Sequence, residues 1–92
     1  MIRSFRNKAL KRFVEQGDSS KLSVRNLERL EILLRRLNAV KRPEYMNLPG
    51  FFFHQLKGEQ RGRYSVRVTG NYRLTFGWDK DDAIDVDLED YH

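Results

Sequence analysis

The sequence contains no cysteine. No disulfide frames the fold, no thiol serves as a nucleophile, and a cysteine zinc site is excluded. Histidine is almost as scarce, present only as His54 and His92, so a histidine-rich metal site is excluded too. Nothing approaches the roughly 20 apolar residues that a membrane-spanning helix needs. The opening Met1-Ile2-Arg3-Ser4-Phe5 lacks the apolar run of a signal peptide. These absences predict a cytoplasmic protein that does not engage a membrane. Neither a glycine-rich loop followed by Lys-Ser or Lys-Thr nor a Gly-x-Gly-x-x-Gly motif occurs, which removes the usual phosphate cradles. The acidic run Asp79-Lys80-Asp81-Asp82 is too short for a calcium loop, which needs a longer ligand pattern closed by Glu. It reads as a turn, and no metal or other cofactor is expected. Length is limited as well. A chain of 92 residues hides only about 65% of the surface its extended form exposes. That leaves room for one modest core and one domain over residues 1–92.

Acidic residues are few in most of the chain. Residues 1–78 hold 17 basic and 6 acidic side chains, whereas residues 79–92 hold 1 basic and 7 acidic. A basic body with an acidic tail attracts polyanions and speeds encounter with them. It equally suits an acidic protein partner.

Hydrophobic spacing divides the chain into elements. Residues 2–5 alternate apolar and polar and read as a short first strand. A helix is predicted over residues 7–16, capped by Asn7, with Leu10, Phe13 and Val14 on one face and Gly17 as its stop. A second helix is predicted from about Val24 to Ala39, capped by Ser23. Leu27, Leu30, Leu34 and Leu37 form its apolar stripe, with Leu33 beside it. Arg25, Arg29, Arg35 and Arg36 occupy its other faces, either as a solvated surface or as an RNA contact. Pro43 fits the first turn of a short helix reaching about Leu48. The period then changes to two. Phe51 begins a strand running into His54-Gln55-Leu56, residues 57–63 form a basic loop, and three further strands follow. Tyr64, Val66 and Val68, then Tyr72, Leu74, Phe76 and Trp78, then Ile84, Val86 and Leu88 alternate with polar residues. Short turns between them predict a meander with one apolar and one polar face. The expected fold is α+β, with two N-terminal helices covering the apolar face of a small, mostly antiparallel twisted sheet and its polar face left open.

The polar residues that remain suit RNA cleavage by the substrate's own 2′-hydroxyl. That reaction needs a base for the 2′-OH proton, cations for the phosphorane, and an acid for the departing 5′ oxygen. His54 and His92 offer imidazoles, the side-chain type suited to act as either base or acid. Arg73 offers a fork of donors to phosphate oxygens, and Lys57 offers a point charge. Tyr91 can stack on a base or donate a proton, and Asp90 can orient an imidazole. Each has a plainer reading: His54 as a structural histidine behind three phenylalanines, Arg73 paired with Asp85 or Asp87, Lys57 as ordinary surface, and His92 as a frayed end.

These residues sit in a recognisable order. The string His54-x-Leu56-Lys57-Gly58-Glu59-x-x-Gly62-x-Tyr64-Ser65-Val66-Arg67-Val68 is followed by Asn71-Tyr72-Arg73-Leu74-Thr75-Phe76-x-Trp78 and by Asp90-Tyr91-His92. Together with Met1-Ile2-Arg3-Ser4-Phe5 and Leu48-Pro49-Gly50, this pattern resembles the HigB branch of the RelE-type toxins across essentially the whole chain. Tyr72 stands where many members carry Trp, and Ser23 where proline is frequent. The resemblance implies a metal-independent messenger RNA endoribonuclease acting in the ribosomal A site, leaving a 2′,3′-cyclic phosphate and a 5′-hydroxyl. It implies catalytic roles for His54, Lys57, Arg73, Asp90, Tyr91 and His92. It also implies the partners: the 70S ribosome with its messenger RNA, a helix-turn-helix antitoxin of the HigA type, and operator DNA contacted mainly through that antitoxin. Two alternatives stay open at this level: a non-nucleolytic toxin of the same fold acting on DNA gyrase, and a small RNA-binding module.

Overall fold

The computed structural model describes residues 1–90. Helix α1 spans Lys8–Gln16. The Asn7 side chain accepts from the Leu10 amide at 3.0 Å, satisfying one of the orphan donors of its first turn. Gly17 ends it at φ 72°, and its amide donates to the Phe13 carbonyl at 2.9 Å. Helix α2 spans Leu27–Ala39. It starts three residues later than its apolar spacing predicts, because Asn26 rather than Ser23 caps it, accepting from the Arg29 amide at 3.1 Å. Val24 is buried ahead of the helix and belongs to the core, not to the first turn. Pro43 opens a 3-10 turn that closes at Met46, so the expected short helix to Leu48 is a single tighter turn with Pro43 and Met46 buried.

Four strands follow: β1 (His54–Gln55), β2 (Arg63–Arg67), β3 (Tyr72–Asp79) and β4 (Asp82–Asp90). They form a meander in the order β1-β2-β3-β4, with every neighbouring pair antiparallel. Two sequence-based expectations need correction here. Residues 2–5 do not form a strand. They touch β4 through isolated parallel bridges, Ile2 with Ala83 and Phe5 with Val86. The Ser4 hydroxyl takes the Asp85 amide between those bridges at 2.8 Å. Phe51 does not begin β1 either: Phe52 has φ 53°, which interrupts extended backbone before His54.

The apolar faces meet in one core. Leu10 of α1 and Leu30, Leu33, Leu34 and Leu37 of α2 pack with Val66, Leu74, Phe76, Ala83 and Val86 of the sheet. Fully burying a leucine contributes about 1.5–3 kcal/mol, so the α2 stripe is the main bond between the helical layer and the sheet. Phe53, Tyr64 and Phe76 stack in sequence at 5.7 and 5.8 Å, and Trp78 meets Phe76 edge-on at 6.2 Å. Of the predicted α1 face, Leu10 is buried and Phe13 half-buried, but Val14 is exposed. Among the described residues no helix is long and apolar enough to cross a membrane.

The last strand departs from simple alternation. The hairpin sets Ala83 opposite Trp78 and Ile84 opposite Gly77, and the register shifts between Gly77 and Thr75. Asp85, at φ 49°, absorbs the extra residue. Ala83 and Val86 therefore share the core, while Ile84 leaves it for the other face and covers Gly77.

That other face is not open. Ser65 and Thr75 are 1% and 0% exposed, and Arg63 is 9% exposed. The Gly58–Gln60 turn folds back over it far enough for the Gln60 amide to donate to Glu89 at 3.4 Å. Alternation shows which face is polar, but not what lies above it.

Candidate active site

Cross-strand pairing organises the polar face into rows, since residues directly opposite share a face. His54 pairs with Ser65, Ser65 with Thr75, and Thr75 with Asp87. In the adjoining row Arg67 pairs with Arg73, and Arg73 with Glu89. His54 and Arg73 thus stand on one face, in neighbouring rows and two strands apart. Strand spacing and rise put their Cα atoms about 12 Å apart, so they flank a site rather than touch. His54 is exposed and Arg73 half-buried. Lys57 is exposed where the chain leaves β1 for the Gly58–Gln60 turn.

Asp90 stands elsewhere. It pairs with Tyr72, whose ring packs on the core, so the register turns it to the opposite face from His54 and Arg73. It lies at the same end of the sheet as the Arg67–Arg73–Glu89 row. Tyr91 and His92 lie outside the described residues.

A buried polar network supports Arg73 from below. Arg63 donates from one terminal nitrogen to the Thr75 hydroxyl at 3.0 Å and to the Asp85 carbonyl at 2.9 Å. Thr75 donates to Glu89 at 2.6 Å. Glu89 stands 3.8 Å from the Arg73 guanidinium. Arg73 therefore faces Glu89, not Asp85 or Asp87: the hairpin register alone would set Leu88 opposite it, and the extra residue at Asp85 brings Glu89 there instead. Burial pushes the Glu89 carboxyl up, but hydrogen bonds from Thr75 and Gln60, with the charges of Arg73 and Arg63, outweigh it and hold it below its ordinary value. Burial pushes Arg63 below its ordinary value and nearby Arg6 adds to this, against the pull of Glu89, Asp87 and Asp85. Even so, an arginine stays charged.

Sequence reading missed Arg63, Thr75 and Glu89. Arg63 reads in sequence as the end of the basic loop over residues 57–63, though it opens β2, and Thr75 and Glu89 read as positions on a solvated strand face; only the covering turn makes them a network. It also left the α2 arginines open between solvent and RNA. Arg29 donates to the Gly50 carbonyl at 2.6 Å and to the Arg67 carbonyl at 2.9 Å. Arg36 donates to the Tyr45 carbonyl at 3.2 Å, and Arg35 pairs with Glu31. Three of those four cations thus have structural partners. Among the described residues no group of three His, Cys, Asp or Glu side chains is arranged to hold a metal ion.

The face can present an imidazole and a braced guanidinium to a phosphodiester, with lysine at its margin. That arrangement suits stabilisation of anionic phosphate and proton transfer beside it.

Comparison with known proteins agrees with the fold. Over its full length the chain is 33% identical, across 92 residues, to Endoribonuclease HigB of Proteus vulgaris, which it covers completely. It superimposes on the crystal structure of a point mutant of YafQ from E. coli with a TM-score of 0.64 at 13% identity, covering 99% of this chain and 94% of that one. At that identity the likeness speaks for the fold alone. Residues 3–92 match the family model for the RelE-like toxin HigB of type II toxin–antitoxin systems. With the model spanning nearly the whole chain and a relative matched end to end, the chain belongs to the HigB-like toxins of the RelE superfamily.

Proposed function

We propose that this protein is a ribosome-dependent messenger RNA endoribonuclease, the toxin of a type II pair. The observation that carries this reading is the end-to-end kinship with a protein named for endoribonuclease activity. The shared face of His54 and Arg73 supports it. In this reading His54 removes the 2′-OH proton of the substrate. The 2′ oxygen attacks the adjacent phosphorus, the bond to the 5′ oxygen breaks, and the leaving oxygen takes a proton from His92 or Tyr91. The products are a 2′,3′-cyclic phosphate and a 5′-hydroxyl. Arg73 and Lys57 stabilise the added negative charge of the phosphorane. Glu89 braces Arg73 from beneath while leaving the net charge of the row positive. Asp90 has the role of orienting an imidazole. Ribosomal RNA aligns the substrate strand. The protein works as one cytoplasmic domain over residues 1–92, held in check by a HigA-type helix-turn-helix antitoxin that makes most of the operator contacts.

The test is primer extension on a defined messenger RNA incubated with the purified protein, with and without programmed ribosomes. Cuts in codon register that appear only with ribosomes are expected. No cuts from folded, toxic protein would refute the reading and redirect the search to DNA gyrase.

A further inference from the structure

Phe52 is the anomaly on this face. It is a large apolar ring, 52% exposed, on backbone with φ 53°, a region that bulky residues rarely occupy. Such a conformation persists only where its surroundings impose it, and here they do. Phe51 on one side is buried, its amide donates to the Leu48 carbonyl at 3.0 Å, and its carbonyl accepts from the Arg67 amide at 2.9 Å. Gly50, one residue further back, is held by Arg29 of α2, which reaches the Gly50 and Arg67 carbonyls together and places its guanidinium over the Phe51 ring at 5.5 Å. The fold uses a helix arginine and a core phenylalanine to keep a second phenylalanine in solvent.

The direction of that ring is equally specific. The strand register breaks at Phe52, since the Arg67 amide pairs with the Phe51 carbonyl, but the Arg67 guanidinium lies over the Phe52 ring at 4.2 Å. Phe52 therefore stands on the face of His54 and Arg73, while its neighbour Phe53 enters the core stack. Arg67 stands directly opposite Arg73, a like-charge pairing that destabilises a sheet. Glu89 offsets the Arg73 side of that pair, and the face of the Phe52 ring offsets the Arg67 side.

We infer that Phe52 and Arg67 form a base-stacking subsite that receives one nucleobase of the single-stranded RNA whose phosphate engages Arg73. The inference rests on the RNA-directed reading above and adds to it a contact that positions the strand. An exposed ring and a guanidinium plane together offer the flat, cationic surface on which unpaired bases stack. A rigidly held aromatic also loses little entropy on binding. Stacking is tolerant of base identity, so the subsite fixes where the strand lies rather than which codon is chosen.

The test reads binding, so its outcome is separate from that of the cleavage reading. Ribosomes are programmed with messenger RNA whose A-site codon is 2′-O-methylated, which removes the nucleophile, and affinity for the labelled protein is measured. Phe52→Leu keeps apolar bulk without a π face, and Phe52→Tyr keeps the ring. Phe52→Leu is expected to bind about tenfold weaker, the scale of losing one stacked base, and Phe52→Tyr within twofold of the parent. Abasic nucleotides are then placed in turn through the codon and its flanks. At one position the parent should fall to the affinity of Phe52→Leu, and Phe52→Leu should lose nothing more there. Binding of Phe52→Leu within twofold of the parent overturns the inference, as it would if Phe52 instead anchored a protein partner. A loss that persists at every abasic position also overturns it, because the ring is then structural. If Phe52→Leu does not fold, the parent alone decides: no abasic position weakening its binding refutes the subsite.

Discussion

Thr75→Val tests whether the buried network on the polar face holds the site together. The substitution preserves shape and removes one hydroxyl that is 0% exposed. That hydroxyl accepts from Arg63 at 3.0 Å and donates to Glu89 at 2.6 Å. Hydrogen bonds to charged groups contribute about 1.5–3 kcal/mol each, so losing two exposes about 3–6 kcal/mol of interaction. Several terms reduce this. Arg63 keeps the Asp85 carbonyl, and Glu89 keeps Gln60 and the charge of Arg73. The new methyl returns about 0.8 kcal/mol of burial. The expected net loss is about 2 kcal/mol, which for a domain of this size lowers Tm by about 10 °C. Thr75→Ser is the control: it keeps the hydroxyl and loses a methyl, at about 1 kcal/mol. Urea unfolding followed by circular dichroism gives both values. The network argument requires Val to be the more damaging of the two. If Ser proves worse, or Val matches the parent, Thr75 contributes packing alone.

Glu89→Gln carries the pH dependence. The Glu89 carboxyl is held below its ordinary value, so the stability it contributes is present above its unfolded value and lost as pH falls through its folded value. The variant should be less stable than the parent at neutral pH, with the gap in urea midpoint closing in acid; a gap unchanged with pH would contradict the assignment. Arg73→Ala should reduce cleavage at least ~100-fold while binding to programmed ribosomes persists, the signature of a group that acts mainly in the transition state. Asn26→Ala should cost about 1 kcal/mol by removing the α2 cap, whereas Ser23→Ala should stay within about 0.5 kcal/mol; thermal unfolding separates the two candidate starts. Leu33→Ala, at a position 0% exposed in α2, should cost about 2–5 kcal/mol by leaving a cavity between helix and sheet, read as a lower urea midpoint.

Local chemistry made several elements legible in the sequence. Asn7 and Gly17 bound α1 because a side-chain acceptor and a left-handed residue satisfy helix ends wherever they fall. The leucines of α2 repeat at three and four, and β2 and β3 repeat at two, so their core faces follow from covalent geometry. The basic body was likewise visible, and so were the strings from Met1 to Phe5, Leu48 to Gly50, His54 to Trp78 and Asp90 to His92, whose order and spacing together pointed to the family. Tertiary structure decided the rest. The start of α2 passed to Asn26 because Val24 was drawn into the core. The hairpin register set Ile84 opposite Gly77 and off the core, and the bulge at Asp85 returned Val86 and Leu88 to the core side and set Glu89 beneath Arg73, since one extra residue reverses every later side chain with no change in local propensity. Phe52 reads in sequence as one of three phenylalanines that begin a strand. It stands in solvent beside His54 because Arg29, far earlier in the chain, fixes the backbone that leads into it and the strand that faces it. Only the packed molecule brings that helix and that turn together.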